Sequence, residues 1–243
     1  MPPSAPGPPP SVSVVVPAWN EAPTIRTALA SVAGQTEPWE VVVAVGDSDD
    51  GTAEAAGTAT VVRGARGRAR QMNDGAASAT GDVLLFLHAD TRLPAGALDA
   101  VRAALADPEV AGGCFRTAFN LDPGQDGFTA LGRAFMRLWE SRLWMRWHRF
   151  AFGDRALFVR RTAFEAVGGY PDQPVFEDLD LVRALRRRGR FVFLDAEVTT
   201  SARRFRRHGA VRQQLRNLAL WTGWNVGLSP HRLKRFYSDG DRG

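Results

Sequence analysis

The stretch Asp82-Val83-Leu84-Leu85-Phe86-Leu87-His88-Ala89-Asp90-Thr91 constrains the fold more than any other in this 243-residue chain. Val83 to Leu87 is an apolar run of five, long enough for a strand buried on both faces and too short for most helices. It ends abruptly in an imidazole and a carboxylate. In open α/β sheets ligands bind in the crevice outside the carboxyl ends of the strands, so His88 and Asp90 are candidate site residues. Asp90 is a hard oxygen ligand of the kind that Mg²⁺ or Mn²⁺ takes, above all where substrate phosphates add further oxygens. The alternative is that Asp90 caps the next helix or closes the turn before Leu93-Pro94.

The residues on either side fit a sheet of this kind. Val12 to Val16 is a β-branched run ending at Pro17, and Trp39 to Val45 is a second strand. Between them Ile25, Leu29 and Val32 recur at helical spacing, with Gly34 as C-cap. A polar loop, Gly46 to Thr52, runs into an alanine-rich helix, and Val61-Val62 marks a short third strand. This β-α-β-α-β order predicts a parallel sheet with right-handed crossovers. Arg63 to Asn73 is a glycine- and arginine-rich segment leading into a helix around Ala76 to Ala79; it faces either a diphosphate or solvent.

Farther on, Ala95 to Ala106 is a helix, and extended segments follow at Gly112 to Arg116 and Ala156 to Val159. Phe128, Leu131, Phe135, Leu138 and Trp139 have helical spacing with Arg133, Arg137 and Arg142 among them, as in a core helix, the wall of an acceptor pocket or a surface that rests on a membrane. Thr162 to Val167 is a short helix. Glu177-Asp178-Leu179-Asp180 begins another, where three carboxylates repel one another unless they cap, pair or act on a substrate. Phe191 to Leu194 is the last strand, and Ala202 to Lys234 is a basic helical tail carrying Trp221 and Trp224.

A net charge of +5 suits anionic ligands, and since Lys234 is the only lysine the charge is nearly all arginine, which favours bidentate phosphate contacts over Schiff-base chemistry. Cys114 is the only cysteine, which excludes an internal disulfide and a cysteine-rich zinc site and points to the cytoplasm. Met1 to Pro10 has neither the basic nor the apolar region of a secretory signal and is expected to be a disordered proline-rich tail. No apolar stretch approaches the roughly 20 residues that span a bilayer. Membrane contact would therefore be peripheral, on the inner face, through the basic tail.

Five segments taken in order are more specific than any one of them. Val-Val-Val-Pro-Ala-Trp-Asn-Glu at 14–21, Asp-Ser-Asp-Asp-Gly-Thr at 47–52, Leu-Phe-Leu-His-Ala-Asp-Thr at 85–91, Gly-Asp at 153–154 and Phe-Glu-Asp-Leu-Asp-Leu at 176–181 resemble the family-2 glycosyltransferases of GT-A fold. Within that family Gly-Arg-Ala-Arg-Gln-Met-Asn at 67–73 and Leu-His-Ala-Asp at 87–90 look most like a small bacterial branch without membrane spans. The resemblance implies one Rossmann-like, mostly parallel sheet flanked by helices. It covers residues 11–200, with a nucleotide-sugar half at 11–115, an acceptor half at 116–200 and a basic helical extension at 201–243.

The resemblance also implies roles. Pro17, Trp19, Asn20, Glu21 and Asp47 would lie by the nucleoside, Arg68 and Arg70 by the diphosphate, Asn73 also by the nucleotide sugar, and Gly153 and Asp154 by the acceptor. Asp90, with His88 where relatives carry the first Asp of Asp-x-Asp, would hold Mn²⁺ or Mg²⁺. Asp178 would be the general base of an inverting transfer from a nucleotide-diphosphate sugar, a uridine one by expectation, and Glu177 would orient the acceptor or the helix start. The acceptor hydroxyl or carboxyl belongs to an unknown molecule, a lipid-linked one being a candidate. A nucleotidyltransferase would carry a glycine-rich loop with a lysine after the first strand, where Pro17-Ala18-Trp19-Asn20 stands. Nucleic acid is not the expected partner, because the arginine segment lacks interleaved aromatics. A sugar-nucleotide scaffold without turnover is the remaining alternative.

Overall fold

The structure is a computed structural model and describes residues 8–120, 134, 153–203, 205 and 209–238. Its elements in chain order are β1 (Val12–Ala18), α1 (Ala22–Ala33), β2 (Trp39–Gly46), α2 (Thr52–Ala55), β3 (Thr60–Gly64), α3 (Arg68–Ser78), β4 (Val83–Phe86), β5 (Thr91–Arg92), α4 (Ala97–Leu105) and β6 (Val110–Asn120). A 3₁₀ turn (Gly153–Arg155) then precedes β7 (Leu157–Arg160), α5 (Arg161–Ala166), α6 (Glu177–Leu185), β8 (Arg190–Ser201), α7 (Ala210–Asn225) and α8 (Pro230–Ser238). The helical pattern expected from Phe128 to Trp147 lies outside the described residues, as do Arg204, Arg206 and Arg207 of the tail.

One sheet has the order β3-β2-β1-β4-β7-β6-β8-β5. Its first half is parallel, with β1 between β2 and β4. β7 is antiparallel to both β4 and β6, and β8 is parallel to β6, so β6 and β8 run in the same direction as β4. Alternate residues enter separate cores. Val14, Val16, Val83 and Leu85 face α1 and α4 through Ile25, Val32, Leu98 and Val101. Val15, Leu84 and Phe86 face α3, α5 and α6 through Met72, Phe164, Leu181 and Leu185. Each fully buried side chain of this size contributes about 1.5–3 kcal/mol, which is why runs apolar on both faces settle at the centre. Gly75 permits the close seat of α3 on β1, since a Cβ there would stand 2.5 Å from Val15 Cγ1.

Three elements differ from the sequence expectation. β1 does not stop at Pro17 but runs to Ala18, pairing Pro17 with Ala44. Leu87 N donates to Val15 O, so the alternate residue Pro17 turns its missing donor toward the side where β4 has already ended, and no ladder bond is lost. The arginine segment is not a lead-in to a helix near Ala76 but is helix from Arg68 onward. β8 does not end at Leu194; it continues to Ser201 beside β6 and the two-residue β5.

Candidate active site

Strand direction gathers the five segments at one edge of the sheet. β1, β2 and β4 deliver residues 19–21, 47–52 and 87–90 at their carboxyl ends. β7 is antiparallel to β4, with Leu157 opposite Phe86, so Gly153 and Asp154 enter at the same edge. There Ala156 holds φ +47, and buried Cys114, its thiol pushed up to about 12 by burial, lies within the fields of Arg155 and Asp154.

The loops after β1 and β2 are tied into one rim. Asn20, at φ +51, donates its backbone N–H to Ser48 Oγ at 3.1 Å and accepts Asp49 N–H on Oδ1 at 3.2 Å. Asp47, at φ +33, accepts Arg66 N–H at 3.1 Å. Positive φ is tolerated best by Asn, Asp and Gly, whose short polar groups bond locally. The Arg66 guanidinium lies 3.3 Å from the centroid of the Trp19 ring, so one face of the indole is covered by a cation. Asp50, which the sequence does not single out, accepts the first N–H of α1 from Ala22 at 3.0 Å and that of Thr52 at 3.0 Å. The Thr52 hydroxyl bond, with these amides adding and burial opposing, holds the Asp50 carboxyl below the usual range.

The Gly67 to Asn73 signature is spent largely on the protein itself. Gln71 Nε2 donates to Ala18 O at 2.7 Å and Ala44 O at 2.9 Å, clamping the ends of β1 and β2. Asn73 exchanges two bonds with the backbone of Tyr170, donating to its carbonyl at 2.8 Å and accepting its N–H at 2.9 Å. Arg70 forks onto Asp172, Nη2 to Oδ2 at 2.8 Å. Arg68, the first residue of α3, pairs with Glu177, the first residue of α6. That pair brings the amino end of α6 to the rim, because α3 starts four residues beyond the carboxyl end of β3.

Phe176, at φ +63, turns the chain into α6, and Glu177 and Asp178 follow as buried carboxylates in its first turn. Helix amino ends favour negative charge, which offsets part of the cost of burial. Asp178 Oδ1 accepts Leu179 N–H at 2.8 Å. Beneath them the Tyr170 phenol is pushed well above its usual range by burial, with Asp178 and Glu177 adding and Arg68 opposing. Tyr170 Oη and Glu177 Oε2 are buried with no hydrogen-bond partner among the described residues. Glu177 thus leans on Arg68, which keeps 39% of its side-chain exposure. Arg68→Met should cost about 3 kcal/mol, at the lower end for a broken buried pair because solvent still reaches the arginine, and adding Glu177→Leu should recover most of it. Thermal melts of the single and double variants check this; equal melting points for wild type and Arg68→Met would contradict it.

Arg203 belongs to the site but is not evident from sequence. Thr91 pairs with Thr200, their hydroxyls 2.9 Å apart, so the antiparallel step sets residues beyond Ser201 alongside Asp90. Arg203 Nη2 lies 2.7 Å from Glu21 Oε1 and 3.9 Å from Asp90 Oδ2. Burial opposes its charge, but the Glu21 bond and the charges of Glu21 and Asp90 raise its pKa. Glu21 Oε2 accepts the Thr24 hydroxyl at 2.6 Å, so both oxygens of that carboxylate are engaged. Among the described residues no three His, Cys, Asp or Glu side chains converge as a metal cluster.

The family model described as glycosyl transferase family 2 matches residues 13–166. The chain belongs to glycosyl transferase family 2. Solved glycosyltransferase structures share the fold. The Pyrobaculum calidifontis mannosyltransferase PcManGT, in complex with GDP-Man and Mn²⁺, has TM-score 0.62 at 23% identity over 95% of this chain and 69% of that one. S. aureus TarS 1-349 in complex with UDP has TM-score 0.61 at 20% identity, over 79% of this chain and 60% of that one. The chain thus spans 60% of that TarS chain, and the likeness is one of fold, the GT-A arrangement. No curated protein matches the chain. In this family 2 chain the matched stretch holds the rim formed by the loops after β1 and β2 and Asp90, while Asp178 and Arg203 lie beyond it.

Proposed function

We propose that the chain transfers a sugar from a nucleotide-diphosphate donor, with a uridine diphosphate sugar as the first choice, to an acceptor hydroxyl or carboxyl with inversion at the anomeric carbon. The observation that carries this reading is that Asp90, after β4, and the Glu177-Asp178 turn, held by Arg68 after β3, stand on the same carboxyl edge of a family 2 sheet. The acceptor oxygen attacks the anomeric carbon on the face opposite the diphosphate. Asp178 takes the acceptor's proton as that bond forms, and the electron pair of the breaking sugar–phosphate bond leaves with the diphosphate. Leu179 N–H fixes one oxygen of Asp178, which leaves its carboxylate oriented for the transfer. Glu177, held by Arg68, sets the turn that presents it.

The donor lies over the rim from Pro17 to Glu21 and Asp47, with Trp19 and the Arg66 above it as one wall. Pro17 contributes through the backbone, lying within β1 one residue before the strand ends and the Trp19 loop begins. Gly153 and Asp154 face the acceptor from the β7 side. Arg70 and Asn73 support the 170–178 loop from beneath, and through it the diphosphate site. A single carboxylate at a strand end fits Mg²⁺ or Mn²⁺ held mainly by substrate, since such ions commonly take one or two carboxylates plus phosphate oxygens and water. Asp90, with His88 beside it, would hold that ion, which when bound supplies countercharge for the leaving diphosphate. Arg203, between Glu21 and Asp90, meets the same diphosphate from the β8 side.

Calorimetric titration of UDP into the protein with Mn²⁺ tests this reading. Expected is saturable, metal-dependent binding that weakens roughly tenfold in Arg203→Ala, the loss of one charge-assisted contact, and recovers in part in Arg203→Lys. Absence of metal-dependent binding for UDP and GDP alike would refute it.

A further inference from the structure

The arginines and tryptophans of the C-terminal extension stand out in the sequence, and the chemistry above uses only Arg203 of them. The structure spends Trp224 inside: the ring is buried between Phe176, at 5.5 Å between centroids, and the Arg183 guanidinium, 3.4 Å from its centroid. With Val175, Leu179, Leu220 and Leu233 it forms a third small core that seats α7 and α8 against the turn holding Glu177 and Asp178.

What α7 turns outward is aliphatic. Val211, Leu215, Leu218 and Val226 are 55%, 62%, 47% and 73% exposed. Together with exposed Ala219 and Thr222 they recur at i, i+4, i+7, i+8, i+11 and i+15, a stripe about 100° wide along the whole helix. Gln213 and Gln214, by contrast, are buried. Two buried glutamines beside four exposed aliphatic side chains are the reverse of what water favours, and contiguous apolar patches of that kind mark a contact surface. Phe236 of α8, 69% exposed, extends the apolar surface, and Arg216 Nη2 ties α8 to α7 by donating to its carbonyl at 2.5 Å.

Charge selects the occupant. Residues 209–238 contain Arg212, Arg216, Arg232, Lys234 and Arg235 and no Asp or Glu. A second copy would bring the same five cations against them, whereas an anionic bilayer offers phosphates to the cations and an acyl boundary to the stripe. We infer that α7 and α8 form a face that docks on anionic lipid, with the Val211–Val226 stripe at the headgroup–acyl boundary. The Trp224 core then holds the Glu177-Asp178 turn next to the bilayer surface, which suits an acceptor with an apolar chain. This last step rests on the proposed transferase chemistry; the docking does not.

Sedimentation of the purified full chain with vesicles tests the docking. With phosphatidylcholine vesicles containing about a third phosphatidylglycerol, at about 0.05 M salt, the protein should pellet, and it should stay in solution with pure phosphatidylcholine or at about 0.5 M salt. Leu215→Glu, and separately Leu218→Glu one turn on, should lower the bound fraction roughly tenfold, and Arg212→Ser with Arg232→Ser should do so at low salt while flattening the salt dependence. Melting curves and UDP titrations on the same variants should match wild type, which keeps a failure of docking apart from a failure of the transferase reading. The inference is overturned if wild type stays in the supernatant with anionic vesicles at low salt, or if both Glu variants pellet as wild type does. It is also overturned if light scattering shows a dimer that Leu215→Glu dissolves, since the stripe then belongs to a second copy.

Discussion

Asp178→Asn should bind donor as wild type does and transfer sugar at least about 1,000-fold more slowly. The substitution keeps the shape and the Leu179 N–H bond to Oδ1 but removes the basicity, and general base catalysis contributes about 10²–10⁴-fold. Its place explains why the effect should be confined to the chemical step. Asp178 sits in the first turn of α6, an element separate from the loops that Asn20, Ser48 and Asp47 tie together. Product formation measured at saturating donor, beside UDP titrations on both proteins, checks it. Equal rates would remove Asp178 from the role of base, and lost UDP binding would make it a structural residue of the donor site.

Asp90→Ala should lose metal-dependent turnover by about 100-fold or more. Charge develops on the diphosphate as it leaves, and preorganised countercharge at such a point is worth about 3–4 kcal/mol. Arg203 stays in place when the Asp90 side chain is cut back, because its shorter contact is the 2.7 Å bond to Glu21. Residual activity in Asp90→Ala would therefore be carried by the arginine, and it should be insensitive to added Mn²⁺. Donor binding without metal should change little.

The legible parts of this fold are those decided by local composition. β1, β2 and β4 are apolar on both faces, so they can only lie inside a sheet covered by helices, and their order fixes the edge at which Trp19, Asp47 and Asp90 emerge. The family resemblance supplied the link from that edge to Asp178, which lies 88 residues beyond Asp90 and whose neighbour Glu177 is held by Arg68 at the start of α3. Arg203 was hidden for a physical reason. Beyond Leu194 the chain reads Asp195-Ala196-Glu197-Val198-Thr199-Thr200, which looks like a polar exit from the sheet. Its alternation, with Asp195 and Glu197 exposed and Val198 and Thr200 buried, is that of a strand covered on one face, and only the pairing of Thr200 with Thr91 brings the following arginine to Asp90.

The Gly67 to Asn73 signature shows the opposite difficulty. Its arginines suit a diphosphate by type, but type does not reveal direction, and Gly67 and Gly75 obscure the helix that aims them. In the folded chain Arg68 and Arg70 reach Glu177 and Asp172, and Gln71 and Asn73 lock sheet and loop together. The motif thus ties the strands β1 and β2 to the loop and turn that precede and hold Asp178. Trp224 is similar: a tryptophan in a basic tail suits an interface, yet the ring is buried on Phe176 and the aliphatic side of the helix faces out.

Release of UDP from a uridine diphosphate sugar by the purified chain, followed with and without Mn²⁺ in wild type and Asp90→Ala, tests the assignment most directly. Expected is slow release that Mn²⁺ accelerates in wild type and leaves unchanged in Asp90→Ala. Equal Mn²⁺-stimulated release by the two proteins would contradict it.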